Sequence, residues 1–212
     1  SEDTPMESAW RDARIARIYE GTNEINRMLS VGMLVKKAMK GHVDLLGPAS
    51  EVQAELMGIP SFETPDYSEL FAEEKEMIGK LKKAFLMVAG GAVQKYGPDL
   101  DGHQQLLMAA ADILIEIYMA ESTILRTEKL AKTKGEAAVK EQIAMAQLYL
   151  YKAVDIITQK GKEGIVSFAE GDEQRMMLMG LRRYTKYTNM PNVIGLREII
   201  TSKLVAENAY CF

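Results

Sequence analysis

Apolar residues recur at helical spacing along most of the chain. Between residues 7 and 18, Trp10, Ile15 and Ile18 follow this spacing, with charged residues between them. A second segment, residues 23 to 39, places one apolar face on Ile25, Met28, Leu29, Met33 and Leu34. Both patterns predict amphipathic helices. Gly21 ends the first, and Thr22 is a favourable N-cap for the second.

Longer helical patterns fill the second part of the chain. Asp66 and Glu69 have the spacing of a capping box, which predicts a long helix from residue 67 to Gly97. The next is predicted from Asp99 or Asp101 to Gly135, and a third from Glu136 to the glycines at 161 and 164. Two shorter helices are predicted at residues 175–187 and 193–209, and Met176, Met177 and Met179 are expected in the core. Alternating β-strand patterns are absent, so the fold class is all-α, an antiparallel bundle of long helices.

Residues 41–66 differ from the segments on either side. They contain Pro48, Pro60 and Pro65 among small polar residues, which predicts a linker with one short helix. The predicted organisation is therefore a terminal pair of helices at residues 1–40, a linker at 41–66 and a helical bundle at 67–212.

Composition and charge narrow the possible functions. The 212 residues are 47% hydrophobic and 26% charged, as in a folded globular protein. The net charge of −4 argues against general binding to nucleic acid or anionic membranes. A single cysteine, Cys211, excludes an internal disulfide and suits a reducing compartment. His42 and His103 lack companion ligands, so no metal site is predicted. No apolar run is long enough for a transmembrane helix, and the acidic start is unlike a secretion signal.

The junction "IYEGTNEI", residues 18 to 25, allows two interpretations. In the structural one, Gly21 makes the turn, Thr22 caps the next helix and Glu20 is merely solvated. In the functional one, Glu20 is a general base held on a rigid corner, beside helix amides that can face an anionic cofactor.

The residues around this junction decide between the two interpretations. The segment "RDARIARIYEGTNEINRML", residues 11 to 29, closely resembles the C-terminal signature of the acyl-CoA dehydrogenases, flavin enzymes of fatty-acid β-oxidation. The resemblance implies that Glu20 is the base that removes the α-proton of the acyl thioester. It implies substrate contacts for Gly21 and Tyr19. It also implies FAD contacts for Thr22, Asn23 and Glu24, and structural roles for Arg11, Asp12, Arg14 and Arg27.

The rest of the chain resembles the long, very-long-chain type of this family, which carries an additional C-terminal helical domain. The resemblance implies a parent enzyme that oxidises fatty acyl-CoA to trans-2-enoyl-CoA. Its cofactor is FAD, its electron acceptor is an electron-transfer flavoprotein, and it is a homo-oligomer, expected to be a dimer, in the bacterial cytoplasm or the mitochondrial matrix. The linker is acidic and has no Lys or Arg, so membrane association is not expected. The chain alone is expected to be inactive; the alternative is a non-catalytic helical interaction or oligomerisation module.

Overall fold

The computed structural model describes residues 5–58 and 66–212. In this part of the chain the regular structure is entirely helical, which confirms the predicted fold class. The eight α-helices are α1 Met6–Ile15, α2 Asn23–Met39, α3 Leu46–Met57, α4 Ala72–Tyr96, α5 Gln104–Lys134, α6 Lys140–Phe168, α7 Gly171–Tyr184 and α8 Val193–Glu207. Two short 3-10 helices, Gly97–Gly102 and Glu136–Val139, precede α5 and α6. None of the described helices has the length and apolar character needed to cross a bilayer.

The three longest helices, α4, α5 and α6, form the centre of the bundle. Ion pairs join Lys75 to Glu128 at 2.9 Å and Lys82 to Glu121 at 2.6 Å, so α4 and α5 run antiparallel. The short connection from α5 to α6 reverses the chain again. Their shared core contains side chains fully removed from water: Leu81, Val88, Ile113, Leu150, Ile157 and Ile165. Each such side chain contributes about 1.5–3 kcal/mol of burial free energy.

The other helices surround this centre. Helix α2 packs against α5, α3 packs against α4 and α7, and α7 packs against α4 and α6. Helix α8 packs against α6 but has no buried residue. Helix α3 corresponds to the one short helix predicted within residues 41–66, and it packs against α4 and α7.

Two glycines predicted to end a helix lie inside it instead. Helix α6 continues through Gly161 and Gly164 to Phe168. A Cβ atom at Gly161 would lie 2.7 Å from Leu181 Cδ1, and one at Gly164 would lie 3.0 Å from Val88 Cγ1. These glycines allow α7 and α4 to approach α6 closely, so they are packing positions rather than stop signals.

The predicted helix starts were wrong in three places. Asp66 accepts a 2.9 Å hydrogen bond from the Ser68 amide and so forms a turn, and α4 begins only at Ala72. Asp99 and Asp101 lie in the first 3-10 helix, and Glu136 begins the second. At Asp66 the local bond between side chain and backbone competes with helix initiation.

Two predicted apolar faces are only partly buried. On α2, Met28 and Leu34 pack against the core, but Ile25, Leu29 and Met33 are exposed. On α7, Met177 is buried, whereas Met179 is exposed, against the prediction.

Candidate active site

The turn between α1 and α2 is fixed by short-range hydrogen bonds. The Thr22 hydroxyl accepts from the Ile25 amide at 3.2 Å, which confirms Thr22 as the N-cap of α2. The Asn23 amide donates to the Arg17 carbonyl at 3.1 Å. The Asn26 side chain donates to the Gly21 carbonyl at 2.9 Å. The corner is therefore held from both sides and positions Glu20 at its tip.

The backbone at the corner has an unusual conformation. Glu20 has φ 55° and Gly21 has φ 99°, so two consecutive residues occupy the region of positive φ. A side chain in this region costs on the order of 1–3 kcal/mol and is found disproportionately at functional sites. Gly21 is required twice, because a Cβ there would also lie 3.0 Å from Asn26 Oδ1. Phe71 and Asn208 also have positive φ, at the N-cap of α4 and the C-cap of α8.

The corner is exposed and bordered by apolar side chains. Tyr19 is 54% exposed, Glu20 and Gly21 are exposed, and Thr22 is half-buried. Helix α1 has no buried residue. The exposed apolar side chains on either side of the turn are Trp10, Ile15, Ile18, Ile25, Leu29 and Met33. We call these six residues, together with Tyr19, the apolar border of the corner.

The predicted cofactor residues lie together at one helix end. Thr22 caps α2, and Asn23 and Glu24 form its first turn, all beside Glu20. The amides of Asn23 and Ile25 are already bonded to Arg17 and Thr22, so this 17-residue helix offers an anionic group chiefly the positive end of its dipole. That dipole is compatible with the diphosphate of a flavin dinucleotide.

Arg27 has a partner that the sequence did not reveal. Its guanidinium makes a bidentate ion pair with Asp112 of α5, and the two side chains are only 27% and 20% exposed. The pair joins the helix that follows the corner to the central bundle. By contrast, Arg11 pairs with Glu7 within α1 at the surface, where such bridges contribute about 0–1 kcal/mol. Sequence spacing cannot show a partner 85 residues away.

Comparison with known proteins places this geometry in a family. Two family models, each described as the acyl-CoA dehydrogenase C-terminal domain, match residues 1–33 and 80–183. A probable acyl-CoA dehydrogenase of Bacillus subtilis (strain 168) is 38% identical over 202 residues. The chain belongs to the acyl-CoA dehydrogenase family. The first match contains the corner and the second lies within the bundle.

A solved acyl-CoA dehydrogenase shows the same fold. The crystal structure of the enzyme from Bacillus anthracis, complexed with FAD, matches all of this chain with a TM-score of 0.92 and 40% identity. The chain covers 36% of that dehydrogenase, and 95% of the chain matches 34% of the B. subtilis dehydrogenase. It therefore spans about a third of the length of these acyl-CoA dehydrogenases.

Proposed function

We propose that this chain supplies the catalytic base of an FAD-dependent acyl-CoA dehydrogenase. The reaction converts a fatty acyl-CoA to the trans-2-enoyl-CoA. Glu20 takes the α-proton, and the electron pair of that C–H bond becomes part of the new double bond. FAD, when bound, accepts the hydride that leaves the β-carbon. The observation that carries the proposal is the Glu20 carboxylate on a strained corner at the amino end of α2.

The apolar border supports this assignment. A general base that removes a weakly acidic proton works best where water is excluded. Exposed apolar side chains on both helices beside Glu20 form a surface that another part of a longer protein would cover. Covering it would enclose the carboxylate with the substrate. In this chain by itself Glu20 remains open to water, and we therefore propose that the chain alone is inactive.

The neighbouring residues have distinct proposed roles. Gly21 has no side chain, so a thioester could approach the backbone at the corner, and the exposed Tyr19 would contact the acyl group. Thr22, Asn23 and Glu24 would hold FAD at the amino end of α2. The proposed partners are acyl-CoA, an electron-transfer flavoprotein as electron acceptor and a second copy of the protein, and the proposed location is the cytoplasm.

The decisive experiment replaces Glu20 in the protein at its natural length. Glu20→Gln keeps the size of the side chain but removes its basicity. We expect the rate of enoyl-CoA formation to fall by about a factor of 100 to 10,000 or more, while the flavin absorbance spectrum of the purified protein is unchanged. Glu207→Gln, an exposed change at the end of α8, is the matched control and should keep full activity. Turnover in Glu20→Gln equal to that of the control would refute the base assignment.

A non-catalytic assembly module is the second candidate. Helix α8 favours it, because this helix has no buried residue and exposes Ile194, Leu204 and Val205. The surface fits association with a second copy of the chain. The same experiment separates the candidates. A protein that only assembles would show no dehydrogenation in its unmodified form, in Glu20→Gln or in Glu207→Gln.

A further inference from the structure

A cavity lies at the other end of α2, away from the corner. It has a volume of about 380 Å³, is partly open to solvent and is bounded by residues of α2, α3, α4 and α7. Val31, the lining residue of α2 nearest the corner, is nine residues after Thr22, which corresponds to about 14 Å along the helix. The cavity is therefore a different place from the proposed active site.

The interior of the cavity is apolar. Its buried lining comes from every wall: Val31 on α2, Val52 on α3, Phe85 and Met87 on α4, and Met177 on α7. An apolar lining of this kind favours apolar ligands, because binding removes apolar surface from water. Methionine side chains adapt easily to a bound chain.

Part of the cavity volume exists because Gly90 has no side chain. Gly90 lies on α4, and a Cβ built there would meet only Ala49 of α3, at 3.7 Å. A larger side chain at Gly90 would extend into the cavity without straining the helix backbone. The next residue, Gly91, is different: its Cβ would lie 2.8 Å from Phe168, so Gly91 is needed for packing.

The polar lining residues lie at the mouth. Ser50, Gln53, Gln94 and Glu173 line the cavity and all four are exposed to solvent. Among the described residues that line it there is no Lys or Arg. A carboxylate or phosphate head group would thus find no cation there and would meet the negative charge of Glu173. A hydroxyl head group would find hydrogen-bonding partners.

We propose that this cavity binds a neutral molecule with one hydrocarbon chain and an alcohol-like head group. An apolar cavity of about 150 Å³ holds benzene, so one of 380 Å³ holds a chain on the order of a dozen carbon atoms. Helix α3 forms one wall. Glu55 anchors that helix to Lys83 of α4 at 2.6 Å and to Arg183 of α7 at 3.2 Å. The hydrocarbon chain lies inside these four helices and the hydroxyl lies at the polar mouth.

The test measures thermal unfolding of the protein at its natural length with 1-decanol and with decanoate. Decanol should raise the unfolding midpoint by about 2 °C at a 100-fold excess over its dissociation constant, because the relatives are about three times as long as this chain. Decanoate, with the same chain and a negative head group, should bind at least tenfold more weakly. Gly90→Leu fills the cavity and should abolish the decanol shift. Gly79→Leu is the matched control, because it makes the same change at an exposed position of the same helix and should keep the shift.

A second variant protects the test against misfolding. Ala49→Leu fills the same space from α3 and should also abolish the shift. The absence of a decanol shift in the unmodified protein would overturn the proposal. A shift that survives both Gly90→Leu and Ala49→Leu would also overturn it, because binding would then lie elsewhere, for example in an acyl pocket near the corner. Decanoate binding as tightly as decanol would refute the neutral head group. None of these outcomes depends on dehydrogenase activity, so the result is independent of the proposed function.

Discussion

Glu20 combines a carboxylate with a backbone conformation that few residues adopt. Its φ of 55° lies in the left-handed region, where asparagine is enriched and glutamate is not. If position 20 served only the turn, asparagine or glycine would serve it better. The strain is therefore consistent with the proposed need for a carboxylate at this position.

This strain predicts a difference in stability between two substitutions that both remove the charge. Glu20→Asn should be more stable than Glu20→Gln by about 0.5–1 kcal/mol, because asparagine tolerates the left-handed conformation. Urea denaturation of the two variants measures the difference. Glu24→Asn and Glu24→Gln form the control pair, since position 24 is helical and asparagine is the poorer residue there. An equal free energy of unfolding for the two position-20 variants would show that the turn is not strained.

At this scale the sequence predicted the corner well and its surroundings poorly. The Gly21 turn and the Thr22 cap depend on local backbone chemistry, which residue types reveal directly. The exposure of Ile25, Leu29 and Met33 could not be predicted from residue types. An apolar stripe has the same spacing whether its own chain or another segment covers it. The roles of Tyr19, Glu20, Gly21, Thr22, Asn23 and Glu24 stay predictions.

Among the helices, the pairing of Arg27 with Asp112 connects the corner to the bundle. The guanidinium and the carboxylate come from α2 and α5, and both are largely withdrawn from solvent. Removing one member of such a pair leaves the other buried without its partner. Helix α2, which begins at the corner, is thereby fixed to the longest helix of the bundle.

We expect Asp112→Asn to lower the free energy of unfolding by about 1–3 kcal/mol, because Arg27 would lose its counter-charge. Glu7→Gln removes one member of the exposed Arg11 pair and should change stability by less than about 1 kcal/mol. Both values come from urea denaturation at neutral pH. Equal losses in the two variants would contradict the structural role of the Arg27 pair.

Helix boundaries show why local signals were insufficient at the element scale. Glycine is the usual residue after a helix, so the sequence predicted ends at 161 and 164. In the bundle the same residues face Leu181 and Val88, and the packing of neighbouring helices outweighs the low helix propensity of glycine. Gly135 has no such neighbour and does follow the last residue of α5.

For the molecule as a whole, the pattern of long apolar stripes was enough to predict an all-α bundle. The long helices carry several turns of consistent periodicity, which is the most dependable of sequence signals. The cavity could not be predicted, because it forms where four separate helices meet. It also requires glycine at position 90, because a side chain there would fill part of the cavity.

Buried tyrosines predict how stability depends on alkaline pH. Burial, reinforced by the charge of Glu55, raises the pKa of Tyr184 to about 12. Burial and then the hydrogen bond to Glu116 raise the pKa of Tyr149 to about 12. Between pH 10 and 12 these tyrosines ionise in the unfolded chain but keep their protons in the folded one. The free energy of unfolding should therefore keep its full value below pH 10 and decrease above it. The decrease due to Tyr184 should be on the order of 1–3 kcal/mol.

The measurement is urea denaturation at intervals from pH 9 to 12. Tyr184→Phe should reduce the loss of stability over this range, because phenylalanine cannot ionise. Tyr210→Phe is the control, since this tyrosine is 86% exposed, and it should leave the profile unchanged. An identical decline in all three proteins would assign the alkaline transition to other groups.

The ion pair between α2 and α5 also constrains how such a protein can be shortened. Removing α5 would take away Asp112 and open to water the face of α2 that carries Arg27, Met28 and Leu34. Arg27 would then be solvated, whereas the two apolar side chains would be left without the core that covers them. A shortened protein would therefore need polar residues at positions 28 and 34.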